Sequence, residues 1–248
     1  SEEEKLPAYA GDTIETIVLP ETIVLPEKPK WTTLFIAAGK KDKVNKIDIV
    51  GFLSQKGELK KEDIGLIEVN KDWESHIHCD LDEYKYIVSL PRDDNFGVLL
   101  LSKKEILYSE IKYFCSYEIP TIYACIKSGN DSIHFILTNT IPPTSSYDFI
   151  QRNLHLENIN KFVKHQSNSI IVGDFNCSSF SQNYNRILKK SDLKDSRIGF
   201  GLQPSWPTWA PIFYVTLDHI LVSKNINIID RKTLSGFGSD HLPIEIGR

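Results

Sequence analysis

Three short segments, far apart in the sequence, each set a carboxylate beside a second polar group: Gly173-Asp174-Phe175-Asn176, Leu217-Asp218-His219 and Ser239-Asp240-His241. Each lies against an apolar run. Ser169-Ile170-Ile171-Val172 leads into the first, Ile220-Leu221-Val222 follows the second, and Leu242-Pro243-Ile244 follows the third. A β-branched run closed by glycine reads as a buried strand ending in a sharp turn. Polar residues at such strand ends are where open α/β sheets meet ligands. Taken singly, Gly-Asp after a strand is most often only a turn, and asparagine often caps its own backbone. Together, acids and imidazoles delivered by several strands suit metal-assisted hydrolysis, in which a cation, a water-activating base and a charge-stabilising imidazole converge. A fourth acid, Glu68, ends the apolar run Ile64-Gly65-Leu66-Ile67, where it is either a solvated strand end or a metal ligand.

The elements that must position these groups follow from pattern. Thr32 to Ala38 and Asp63 to Val69 read as buried strands, and Val44 to Gln55 has helical spacing of its apolar residues. Tyr84 to Leu90, Gly97 to Ser102, Ile106 to Tyr117, Thr121 to Lys127 and Ser132 to Thr138 read as strands with no helix between them, which predicts antiparallel pairing. After Pro142-Pro143 the spacing predicts a helix over Tyr147 to Gln166, with Ile150, Leu154 and Phe162 among its apolar positions, and a shorter one over Gln182 to Lys190. Gly199 to Pro211 reads as a Gly-, Pro- and Trp-rich loop. This order predicts an α/β (α+β) domain of two mixed sheets flanked by helices, over 31–248, with no internal boundary.

Residues 1–30 differ. Consecutive glutamates, spaced prolines and a duplicated Thr-Ile-Val-Leu-Pro-Glu predict an extended tether, because proline at that spacing forbids a helix. A strand-donating arm is the other reading. The chain has no Met, so a processed product is expected, with any leader or anchor upstream of Ser1.

Bulk composition sets limits. A 41% apolar and 25% charged chain of net charge −4 is ordinary for a globular domain and carries no general basic surface for nucleic acid. A metal-dependent phosphodiesterase needs none, because its cation supplies the positive field. The paired lysines (40–41, 60–61, 103–104, 189–190) read as solvated surface. No apolar stretch is long enough to span a membrane. Cys79, Cys115, Cys125 and Cys177 lack zinc-site spacing; either Cys115 and Cys125 pair in an oxidising compartment or all four are free thiols.

The motif set resembles the endonuclease/exonuclease/phosphatase, or DNase I-like, superfamily. Arg92-Asp93-Asp94-Asn95-Phe96-Gly97 and the run from Asp195 to Pro207 further resemble its bacterial YafD-like branch. The resemblance implies a four-layer sandwich and Mg²⁺- or Mn²⁺-dependent phosphoester hydrolysis. It places Glu68 and Asp240 on the cation and makes Asp174 the group that orients or deprotonates the attacking water. Asn176 would support Asp174 or touch the phosphate, Asp218 would fix the tautomer of His241 at the scissile phosphate, and His219 would be structural. It also implies an extracytoplasmic setting, a monomer, and a phosphodiester substrate: nucleic acid, or a phospholipid or inositol phosphate. Two positions depart from the family pattern. Ala38 stands where an Asn supports the metal site, and Asn139 stands where a His contacts phosphate. Asn139 can donate a hydrogen bond to phosphate but carries no charge. Loss of such donors costs about two to three orders of magnitude in rate, so a slowed enzyme or a non-catalytic phosphoryl-ligand or protein binder is the alternative outcome.

Overall fold

The computed structural model describes residues 32–36, 64–68, 84–94, 96–235 and 239–247. Twelve strands in these residues form two six-stranded sheets. The first contains β1 (Thr32–Ile36), β2 (Ile64–Glu68), β3 (Tyr86–Leu90), β4 (Val98–Ser102), β11 (Asp230–Thr233) and β12 (Ile244–Gly247), in the order β11-β12-β1-β2-β4-β3. The second contains β5 (Ile106–Tyr113), β6 (Pro120–Ser128), β7 (Asp131–Asn139), β8 (Ser169–Asp174), β9 (Leu193–Asp195) and β10 (Asp218–Ser223), in the order β5-β6-β7-β8-β10-β9. Two helices, α1 (Ser146–Val163) and α2 (Gln182–Lys190), connect strands of the second sheet.

Period-two alternation decides which side chains go where. On the second sheet Ile122, Ala124, Ile126, Phe135, Leu137, Ile170, Val172, Ile220 and Val222 pack with Phe35, Ile64, Val98, Leu100, Ile244 and Ile246 of the first sheet, forming the core between the sheets. The intervening residues Tyr123, Ile136, Ile171 and Leu221 face the other way, onto Leu156, Ile159 and Val163 of α1 and Tyr184 and Ile187 of α2. Strands buried on both faces read as continuous apolar runs, which is how β8 and β10 appear in the sequence. The antiparallel β3–β4, β5–β6 and β6–β7 pairs bear out the predicted pairing, but β4 and β5 do not pair, because the chain crosses between them from the first sheet to the second.

Three expectations are corrected or refined. The strand expected to reach Tyr117 stops at Tyr113, because the chain turns there and Glu118 adopts a positive φ of 51°. The buried face of α1 is not the apolar one predicted. Ile150 and Leu154 are exposed, while Asp148, Gln151, Arg152, His155 and Asn160 are buried with Leu156, Ile159 and Val163. Most of these polar groups find partners: Gln151 Oε1 accepts from Ser116 N (3.1 Å), and His155 Nε2 lies 3.1 and 2.9 Å from the Thr121 and Thr138 hydroxyls, whereas His155 Nδ1 and Asn160 Oδ1 have no hydrogen-bond partner among the described residues. Cys115, Cys125 and Cys177 are free thiols. The tether of 1–30, the helix expected over 44–55, Ala38 and Cys79 lie outside the described residues.

Candidate active site

The site is set by strand register. β7 runs parallel to β8, and β10 runs antiparallel to it, so Asn139, Asp174 and Asp218 stand side by side on three adjacent strands. Two residues back, Leu137, Val172 and Ile220 form the matching row and all lie in the core between the sheets. Alternation therefore points the polar row to the same inter-sheet face, at the point where the core ends. All three side chains are buried.

Glycine at 173 is required by the close approach of β7. Its φ is +152°, and a Cβ there would lie 1.6 Å from the Thr138 carbonyl oxygen. The backbone can then turn so that Asn176, at a φ of 44°, closes on Asp174. Asparagine tolerates that left-handed conformation because its short amide bonds locally. Asn176 N donates to Asp174 Oδ1 (2.7 Å), and Asn176 Nδ2 donates to Asp174 Oδ2 (3.0 Å) and to Thr140 O (2.7 Å). Arg152 of α1 donates to the Asn176 carbonyl, and Thr140 N donates to the Asp174 carbonyl (2.9 Å). Both carboxylate oxygens of Asp174 are thus held by one residue, itself held from two sides.

Asp218 Oδ2 meets His241 Nδ1 at 2.7 Å, while its Oδ1 is buried with no hydrogen-bond partner among the described residues. Ligand-type atoms of Asp174, Asp218 and His241 all lie within 4.8 Å of one another. Burial pushes the Asp174 carboxyl up to about 7; nearby His241 opposes this, and the negative charges of Asp218 and Asp240 add to it. Asp240 belongs to the same neighbourhood. Its Oδ2 accepts from Trp206 Nε1 (3.0 Å) and its carbonyl from Thr208 N (2.9 Å). Ser205 Oγ accepts from Asp218 N (3.1 Å), so with Trp206 and Thr208 the loop before β10 braces both acid–imidazole segments, and Ser239 Oγ accepts from His241 N (3.0 Å) within the second.

Of the residues predicted from sequence, Asn139, Asp174, Asn176, Asp218, Asp240 and His241 come together. Glu68 ends β2 opposite Val98, placed there by its backbone alone. His219 points to the helix side, where its Nε2 is 2.8 Å from Cys177 O and its ring packs on Phe175 and Tyr184. Burial lowers its pKa to about 4, so it is neutral. Thr140, Arg152 and Ser205 were missed as supporting residues. Only Arg152 left a signal, a cation inside a helix whose inward face it shares. The branch motifs hold loops together: Arg92 Nε donates to Asp94 Oδ1 (2.9 Å), and Arg197 Nη2 to Asp195 Oδ2 (2.6 Å).

The sequence model of the Endonuclease/Exonuclease/phosphatase family matches residues 42–241. Solved structures share the fold at low identity. D. rerio TDP2 complexed with a single-strand DNA product has a TM-score of 0.71 at 14% identity, covering 87% of this chain and 97% of that one. The mannosyl-6-phosphatase of Bacteroides thetaiotaomicron has a TM-score of 0.70 at 15% identity, with 88% and 98% covered. Sphingomyelinase C from Streptomyces griseocarneus has a TM-score of 0.62 at 17% identity, with 88% and 99% covered. No curated protein matches the sequence. The family match spans most of the chain and the fold agrees with it: the chain belongs to the endonuclease/exonuclease/phosphatase family.

Proposed function

We propose that this chain is a divalent-metal-dependent phosphodiesterase whose reaction centre is Asp174, Asp218 and His241. The observation that carries the reading is the convergence of these three groups, from two strands and the β12 approach, within 4.8 Å. The donor set fits a hard cation. Burial, with the neighbouring charges of Asp218 and Asp240 adding to it, raises the proton affinity of Asp174, and a buried carboxylate oxygen of Asp218 has no partner among the described residues. Glu68 and Asp240 would hold Mg²⁺ or Mn²⁺, which when bound supplies charge neutralisation at the phosphoryl oxygens and leaving group.

The chain's own residues supply the proton chemistry. Asp174, poised near neutrality and clasped by Asn176, takes the proton of the attacking water. Asp218 accepts from His241 Nδ1, which turns Nε2 toward the phosphate and favours the imidazolium as negative charge builds. Asn139, beside Asp174, donates to a phosphoryl oxygen in place of a charged group. Membership of the YafD-like branch, and with it an extracytoplasmic setting, is part of the reading and rests on the 92–97 and 195–207 motifs. Fractionation of cells expressing the natural gene checks the setting.

The test is hydrolysis of bis-nitrophenyl phosphate by the purified chain. Turnover with Mg²⁺ or Mn²⁺, abolished by EDTA and reduced at least about a thousandfold by Asp174→Ala, is expected. Metal binding without turnover on this diester, plasmid DNA, single-stranded RNA or phosphoinositides would instead make the chain a non-catalytic binder.

A further inference from the structure

We infer that the loop joining β9 to β10 is a docking wedge that seats the active-site mouth on a zwitterionic lipid surface. From Ile198 through Leu217 the sequence has no Asp, Glu, Lys, Arg or His, in a chain whose charged share is 25%. A loop without charge would ordinarily be buried. This one presents Trp209 at 73%, Ile212 at 92% and Phe213 at 70% exposure.

The exposure is built into the loop. Trp206 and Val215 form a bridge, with Trp206 N donating to Val215 O (3.0 Å) and Val215 N to Trp206 O (2.7 Å), which pinches residues 207–214 into a closed tip. Within the tip Phe213 N donates to Ala210 O (2.9 Å) at the end of a short 3₁₀ turn, Pro211–Phe213. The base is fastened to the reaction centre: Trp206 Nε1 to Asp240 Oδ2 (3.0 Å), Thr208 N to Asp240 O (2.9 Å) and Thr208 Oγ1 to Ser239 O (3.0 Å). Whatever receives the tip is therefore brought beside His241.

The chemistry selects the occupant. Tryptophan suits the headgroup boundary, and isoleucine and phenylalanine suit the acyl region just beneath it. Nucleic acid affinity comes chiefly from cations on phosphates, and this segment has none. The most exposed of the three side chains, Ile212, has no π face on which a base could stack. An anionic membrane would attract a basic segment, whereas this loop is uncharged and the chain carries a net −4. The inference rests on the phosphodiesterase reading only for the substrate, which becomes the headgroup phosphoester of a phospholipid; docking itself does not depend on it.

Flotation of the full chain with phosphatidylcholine vesicles tests this, comparing wild type with Trp209→Ser/Ile212→Ser/Phe213→Ser. Wild type is expected to float with the vesicles and the triple variant to partition at least tenfold less, while both hydrolyse soluble bis-nitrophenyl phosphate at the same rate. Equal soluble turnover also shows that the variant is folded. Failure of wild type to float, or equal flotation of both proteins, overturns docking and leaves the phosphodiesterase reading standing. Flotation without any soluble turnover does the reverse. The inference is also overturned if the triple variant loses single-stranded DNA binding or self-association in sedimentation while neither protein binds vesicles, or if binding needs anionic lipid and disappears in salt.

Discussion

Asp218 Oδ2 and His241 Nδ1 meet at 2.7 Å across 23 residues of sequence, with the carboxylate fully buried and the imidazole at the edge of solvent. A buried carboxylate on Nδ1 fixes the ring orientation and leaves Nε2 as the working nitrogen. Asp218→Asn keeps the shape but removes the charge that favours the imidazolium. It is expected to lower kcat on a soluble diester by about 10²–10⁴-fold, with KM little changed, because the interaction matters only as charge develops. Steady-state kinetics checks the split; a rise in KM alone would make the pair structural.

Asn139 occupies the same polar row as Asp174 and Asp218, one strand over, and it is buried. An imidazole there would add a donor that can carry charge. Asn139→His is expected to raise kcat by about tenfold or more, a part of the two to three orders that one transition-state donor is worth. The change should appear with Mg²⁺ present and vanish in the Asp174→Ala background. An unchanged rate would mean that this position does not face phosphate.

How much of this was legible in the sequence divides along a physical line. Strands buried on both faces, such as Ser169–Asp174, announce themselves as β-branched runs, and α2 lies at Gln182–Lys190 as its pattern predicted. The chemistry-bearing residues were legible because few structural needs put Asp beside His at a strand end. The row Asn139–Asp174–Asp218 was not, because register between strands is fixed by the whole sheet and no local window encodes it. Nor was the inward face of α1. A periodicity rule assigns Ile150 and Leu154 to the core, but this helix packs partly against the site end of the sheet, where Arg152 and His155 find partners and an aliphatic chain would find polar groups.

Gly173 admits no side chain. An added Cβ would fall 1.6 Å from a backbone oxygen of the paired strand, and φ at +152° is unfavourable for any L residue. Backbone atoms in the middle of a sheet cannot give way as a flexible side chain can. Gly173→Ala is therefore expected to cost at least about 3 kcal/mol of stability, and to abolish turnover by separating Asn139 from Asp174. Urea unfolding followed by circular dichroism measures the first effect. A loss below about 1 kcal/mol would show that the strands part cheaply at this point.

Two histidines away from the reaction centre set a pH limit on the fold. Burial lowers His155 and His219 to about 4, below the ordinary 6.5. Both are thus neutral in the folded chain, whereas the unfolded chain takes up protons on them as pH falls through 6.5. The sign follows: their contribution is fully present above about pH 6.5, declines between 6.5 and 4, and is constant below 4. Asp174, raised to about 7, works in the opposite direction over much of that window, because protonating it relieves the folded state. The net curve mixes the two, so a difference between variants isolates one of them. His155→Gln keeps a polar group toward Thr121 and Thr138 but cannot titrate. Its loss of stability between pH 7 and pH 4.5, measured by urea unfolding in EDTA, is expected to be smaller than that of wild type by about 2–3 kcal/mol. Parallel curves for the two proteins would mean that His155 is protonated inside the fold.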